Sequence, residues 1–180
     1  GAIQLDFGNS LHTGKPVARL VFRHFAMTIK LAFVSLLVAL AIGLPLGVVA
    51  ALYRGKVWDS VATAMGVLGM SIPNFVLGPV LIIVFAVKLD WFPSGGADSV
   101  AAIVLPAATL GISLAAILTR MVRAALSDVL YEVYIVAARA RGLTETTIIF
   151  NHALRNAALP LFTVIGLQLG GLLGGAVITE

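Results

Sequence analysis

Residues 127–160 read SDVLYEVYIVAARARGLTETTIIFNHALRNAALP. This is the one long polar interruption in a chain that is 60% hydrophobic and only 11% charged, with a mean hydropathy of +1.06. Such a composition leaves too little polar surface for a water-soluble fold, so the remainder is expected to be all-α and embedded in a membrane. Val129, Val133, Val136, Ala137 and Ala140 recur at helical spacing, with Asp128 and Glu132 at the start and Arg139 and Arg141 at the end, where the helix dipole favours each sign. Ser127 is placed to cap this helix and Gly142 to end it in the left-handed conformation. A second short helix is expected from Thr144 as cap, with Glu145 in its first turn, toward His152. The segment thus reads as two short amphipathic helices hinged at Gly142, serving either as a docking element or as a surface-lying pair.

Four apolar stretches surround it, each long enough for the roughly 20 helical residues that a bilayer core requires. We place them at 28–53, 60–87, 99–122 and 157–179, with the polar segment at 127–155 and a polar, amphipathic lead-in at 1–25. Gly43 and Gly47 form a G-x-x-x-G pair in the first span, and Gly166, Gly170 and Gly174 extend that spacing in the fourth; both are read as close-packing faces. The second span is broken around Ser71, Pro73 and Asn74. Such breaks are tolerated in a bilayer only where protein or a water-filled cavity satisfies the freed backbone groups. These residues, with Gln168 in the fourth span, therefore either line a pathway or simply pack. Trp91 and Phe92 suit an interfacial belt.

Four crossings put Arg54, Lys56, Arg120, Arg123, Arg139, Arg141 and Arg155 on one side, against Lys15, Arg19, Arg23, Lys30 and Lys88 on the other. The positive-inside rule makes the first side cytoplasmic. The net charge of +4 is therefore topological, and no basic run with interleaved aromatics points to nucleic acid. Cysteine is absent, which removes disulfides and thiolate metal sites. No G-x-x-x-x-G-K-[ST] phosphate loop is present, so an ATP-driven activity would need a second polypeptide. His152 has no nucleophile or metal-ligand partner at useful spacing, which argues against an enzyme.

The polar segment resembles the cytoplasmic EAA loop of permease subunits in bacterial ABC importers. Ala137, Ala138 and Gly142 match in register, while Val136 replaces the motif's Glu, and His152 and Arg155 replace a hydrophobic residue and a Pro. Those departures are similar to the peptide-importer branch, which also carries nickel and glutathione: Ala138-Arg139-Ala140-Arg141-Gly142, then His152-Ala153-Leu154-Arg155-Asn156, then Pro160. Asp6-Phe7-Gly8-Asn9-Ser10, Pro16-Val17, Trp91-Phe92-Pro93, Leu105-Pro106-Ala107 and Gly166-Leu167-Gln168 follow in the order that branch shows.

The resemblance implies a type I ABC importer transmembrane domain in the bacterial inner membrane, represented by four of six transmembrane helices with one more on either side. It implies a second homologous permease, two ATP-binding subunits that hold the ATP and magnesium, and an extracytoplasmic solute-binding protein. It assigns ATPase coupling to Val133, Ala137, Ala138, Arg139, Arg141, Gly142, Glu145, His152 and Arg155. Ala137, Ala138, Gly142 and Glu145 would be the docking core, and the arginines its charged contacts. The rival reading is a secondary transporter or channel. It is disfavoured because no span holds an ionisable group away from its ends.

Overall fold

A computed structural model describes residues 8, 14, 16–93, 95 and 100–179. Most of the lead-in, including Asp6, Asn9, Ser10 and Lys15, and also Glu180, lies outside the described residues. The described chain is helical throughout, and three helices are long and apolar enough to cross a membrane, with mean hydropathies of 2.5, 2.2 and 1.7. Helix α1 spans Val17–Leu52, α2 Val57–Ser71 and α3 Asn74–Leu81, which a π-helical stretch extends to Lys88. Helix α4 spans Val100–Leu130 and α5 Val133–Ala140. A single turn, α6 (Glu145–Thr147), runs through a second π-helical stretch, Ile148–Ala153, into α7, Leu154–Thr179.

Helices α1 and α4 form the spine. They run parallel, and the contact is made by glycines whose missing side chains let backbone meet backbone. A Cβ on Gly43 would lie 2.8 Å from the Ala115 carbonyl oxygen, and one on Gly47 2.5 Å from the Val122 Cβ. From the opposite side, a Cβ on Gly111 would lie 2.9 Å from the Ser35 carbonyl oxygen. Small residues promote this approach because, in lipid, van der Waals packing rather than the hydrophobic effect drives helices together. The hydroxyls of Ser35 and Thr119 on this buried seam, and that of Thr109 on the face of α4 turned to α3, donate back to carbonyls four residues earlier in their own helices, so each is satisfied without a partner on a neighbouring helix.

Helix α2 packs antiparallel to α4, and the chain then turns by 97° at Ile72–Pro73 before α3. Pro73 lacks the donor that would continue α2, while its own carbonyl accepts from the amides of Val76 and Leu77 to start α3. Helix α7 closes the bundle through Val164, Ile165 and Leu172 against Ala39, Leu114, Ala115 and Leu118.

Four expectations are corrected. The amphipathic lead-in does not end at residue 25, because from Val17 it runs on into the first span as one helix to Leu52, with Pro45 accommodated inside it. Helix α4, 31 residues or about 46 Å long, overshoots the apolar run and ends at Leu130; Ser127 is buried inside it and caps nothing. The helix beginning at Thr144 does not stop at His152 but continues into the fourth span. Among the described residues nothing lies within 4 Å of the side-chain position of Gly166, Gly170 or Gly174, since the bulky face of α7 carrying Val164, Ile165 and Leu172 is the one turned inward.

Overpacking a close helix crossing costs about 1–3 kcal/mol. Gly47→Val is therefore expected to lower the thermal midpoint of the detergent-solubilised protein by several degrees. A scan of helical signal against temperature checks this, and an unchanged midpoint would contradict the backbone contact.

Candidate functional site

The α1–α2 connection and the polar segment lie at one end of the bundle, where a compact cluster joins them. Ala51, Leu126, Leu130, Ile135, Ala138, Ile148 and Ala153 form its buried core, edged by Val48, Val129, Leu143 and Leu154. Arg54 also stacks over the Tyr131 ring, 5.6 Å from its centroid. This cluster orients α5. Glu132 is its N-cap residue, with the carboxylate making no cap bond; the amides of Ile135 and Val136 instead bond to the Glu132 carbonyl.

Within α5, Ile135 is fully buried and Ala138 nearly so, and they alone hold the helix to the core. Val133 is 80% and Val136 56% exposed, with Ala137, Ala140 and Arg141 on the same outer surface. Val133, Val136, Ala137 and Ala140, which recur at helical spacing, thus form the outward face. Ala138 is correspondingly not part of a docking surface, because Ile135 and Ala138 fill the space beneath the helix.

The hinge is built as its residues dictate. Gly142 has φ +80°, a conformation that costs any residue with a Cβ roughly 1–2 kcal/mol, and the amide of Leu143 reaches back to the Ala138 carbonyl at 3.3 Å. Thr144 caps the next helix by accepting from the Thr147 amide. Arg139 clasps the hinge: its Nε and Nη2 donate to the two oxygens of Glu145 at 2.7 and 3.3 Å, and its Nη1 to the Leu130 carbonyl at 3.4 Å. Glu145 lies in the polar stretch ahead of the apolar run of α7. Donation from Arg139 holds its carboxyl below the usual carboxylate range, against a smaller opposing effect of burial. Arg139 and Glu145 are accordingly spent on the hinge and are not free contacts. Arg141 is exposed and, among the described residues, its side chain bonds only to the Ala137 carbonyl, at 3.3 Å; Arg155 is exposed on α7. His152 is half-buried in the π-helical stretch. The Asn156 amide donates to the Tyr134 hydroxyl at 2.6 Å and ties α7 to α5.

A second feature was not singled out from the sequence. Asp59, in the first turn of α2, is only 6% exposed and takes a bidentate pair of bonds from Arg123 of α4, at 2.5 Å from Nε and 2.8 Å from Nη2. The Gly55 amide and the Thr63 hydroxyl fill its remaining acceptor positions. The only sequence signal was a lone Asp in the first turn of an otherwise uncharged span. Its partner stands 64 residues away.

The third feature is the break between α2 and α3. A cleft of about 210 Å³ there is lined by Met70, Ile72, Pro73, Asn74, Ser113 and Ile117. Ser113 donates to the Asn74 side-chain oxygen at 2.5 Å. Pro73 and Asn74 thus meet in one cleft, while Ser71 is exposed and turns its hydroxyl back to the Val67 carbonyl. Gln168 is half-buried on α7 and lines neither this cleft nor the apolar one of about 320 Å³ between Gly78 and Thr109.

Residues 43–180 match the model for the binding-protein-dependent transport system inner membrane component. The chain belongs to this family. The glutathione transport system permease protein GsiC of Escherichia coli K12 is 42% identical over 179 residues, which is 99% of this chain, and so is its counterpart in Shigella flexneri serotype 5b. The chain spans 58% of the length of these curated relatives. Two inward-facing structures of the MetNI methionine ABC transporter superpose with TM-scores of 0.72 and 0.71 at 28% and 29% identity; they cover 89% and 86% of this chain and 73% and 70% of theirs. The fold is accordingly that of a type I ABC importer transmembrane domain, and this family member is a multi-pass inner-membrane protein.

Removing one member of a buried ion pair strands the other, at a cost on the order of 3 kcal/mol. Asp59→Ala should therefore destabilise the protein markedly. The double change Asp59→Leu with Arg123→Met should recover much of the loss. Thermal midpoints of the three proteins check this, and equal losses in single and double variants would contradict the pairing.

Proposed function

We propose that this chain is the membrane-embedded part of a permease subunit in an ATP-driven importer for peptides or a related small solute. The observation that carries the proposal is the outer surface of α5. Val133 and Val136 are exposed at the polar, arginine-rich end of the bundle, on a helix whose position is over-determined by the Ile135–Ala138 core, the Arg139–Glu145 clasp and the Asn156–Tyr134 bond. Exposed apolar side chains on a rigidly held helix at the polar end of the bundle suit a partner surface. Because the chain has no phosphate loop, that partner is an ATP-binding subunit, one of two, which holds the ATP and magnesium on the cytoplasmic side. A second permease and an extracytoplasmic solute-binding protein complete the assembly.

ATP-driven closure of the partners then moves α5 as a rigid tip. The motion passes through the shared cluster into the ends of α1, α4 and α7. The relationship to GsiC favours a tripeptide-sized solute, and glutathione is the first to try. Val133, Val136, Ala137 and Arg141 are the contacts, with Arg155 at the edge, and Gly142, Arg139, Glu145 and His152 serve the hinge.

Gly142→Val places a β-branched residue at φ +80°. In the assembled transporter it is expected to lower binding-protein-driven uptake by at least ten-fold while ATP hydrolysis continues, with normal amounts of protein in the membrane. Unchanged uptake would count against α5 as the coupling element.

A further inference from the structure

Arg120 and Arg123 stand three residues apart on α4 but have different fates. Arg123 is neutralised by Asp59. Arg120 is exposed, and its only hydrogen-bonding contact among the described residues is the Met70 thioether, 3.6 Å from Nη1. A thioether is a weak acceptor and no counter-charge.

The direction of this contact matters. On an α-helix the Cα–Cβ bond tilts toward the N-terminus, so Arg120 leans back along α4 toward Ile117 and Ser113 rather than out past Leu130. Met70 lies 11 residues beyond Asp59 on the antiparallel α2, about 16 Å deeper in the bundle by helix rise. An arginine that merely snorkelled to the aqueous boundary would turn the other way. This guanidinium instead reaches the rim of the cleft at the α2–α3 break, which Met70, Asn74, Ser113 and Ile117 line. Inside that cleft the Asn74 oxygen is occupied by Ser113, so its amide nitrogen remains free to donate.

A guanidinium with planar paired donors, a nearby amide donor, no acidic group among the residues lining the cleft and a weakly held thioether contact together match a carboxylate. We propose that Arg120, assisted by Asn74, forms a transient binding subsite for the carboxylate end of the transported solute. At about 210 Å³ the cleft takes one end of a short peptide rather than the whole molecule. The proposal rests on the permease reading above and adds a ligand class and residues to it. The Asn74–Ser113 bond fixes the amide across the break, and the Asp59–Arg123 pair anchors α2 so that Met70 and Arg120 stay in register. Release toward the cytoplasm is assisted because the thioether can resume its place on the guanidinium as the carboxylate leaves.

The test uses the complete permease complex with its ATP-binding subunits, nucleotide-free in detergent and without binding protein. It is exposed to a tripeptide library with free carboxyl ends and, separately, to the same library amidated at the C-terminus. Mass spectrometry of retained peptides is expected to show at least ten-fold preference for the free acids. Arg120→Gln should reduce that preference to within two-fold and Arg120→Lys should keep most of it, with normal amounts of assembled complex for both variants. Equal retention of acids and amides by the unaltered complex, retention of neither, or a loss of both alike in Arg120→Gln would overturn the subsite. Binding-protein-driven uptake of the free-acid library into proteoliposomes separates the two levels. Uptake without any acid preference in the retention assay overturns the subsite alone, whereas absence of uptake overturns the permease reading as well.

Discussion

The close parallel approach of α1 and α4 is the constraint on which the other elements depend. At Gly43, Gly47 and Gly111 each helix presents bare backbone to the other, and any side chain at these positions would meet a carbonyl or Cβ within 3 Å. With the axes this near, the two C-terminal ends finish side by side, so Ala51 meets Leu126 and Leu130 and a small core can form beyond the last membrane-spanning turn. Without that core, α5 would have nothing to stand on. The seam also gives α2 its place, because the face of α4 left free by α1 presents Arg123 to Asp59.

The polar end is built from residues whose jobs are divided by direction. Ile135 and Ala138 point in and hold; Val133, Val136 and Ala137 point out and are left for something else. Arg139 and Glu145 neutralise each other across the hinge, which removes two charges from the outer surface and leaves Arg141 as the free guanidinium of α5. Exposed ion pairs contribute little stability on their own. Here the bidentate geometry and the added bond to the Leu130 carbonyl fix the angle between α5 and the following helix, which is a matter of position more than of energy.

Much of this was legible in the sequence wherever one residue type has a single physical solution. Gly142 takes the left-handed conformation, Thr144 caps, Pro73 breaks the second span, and Gly43 with Gly47 marks a contact. Reading failed where several solutions compete. Nothing between Thr119 and Leu130 stops a helix, so α4 runs on past the membrane although the composition turns polar at Arg120; polarity ends an apolar run but not a helix. Apolar side chains occupy nearly all sides of the eight-residue α5, leaving periodicity unable to choose the buried face; the contacts of Ile135 and Ala138 decide it. In α7 the glycines and the bulky residues lie on different faces, and within this chain the bulky face packs. The Asp59–Arg123 pair joins elements that only the fold brings together.

The central claim is that the outer face of α5 meets an ATP-binding subunit. The natural absence of cysteine makes a direct test clean. Single cysteines at Val136 and, on the inner face, at Ile135 are introduced into the complete complex, and a short bifunctional reagent is applied in the membrane. The account predicts a cross-link from position 136 to the ATP-binding subunit whose yield changes on adding ATP, and none from position 135. No adduct from 136, or equal adducts from both positions, would contradict it.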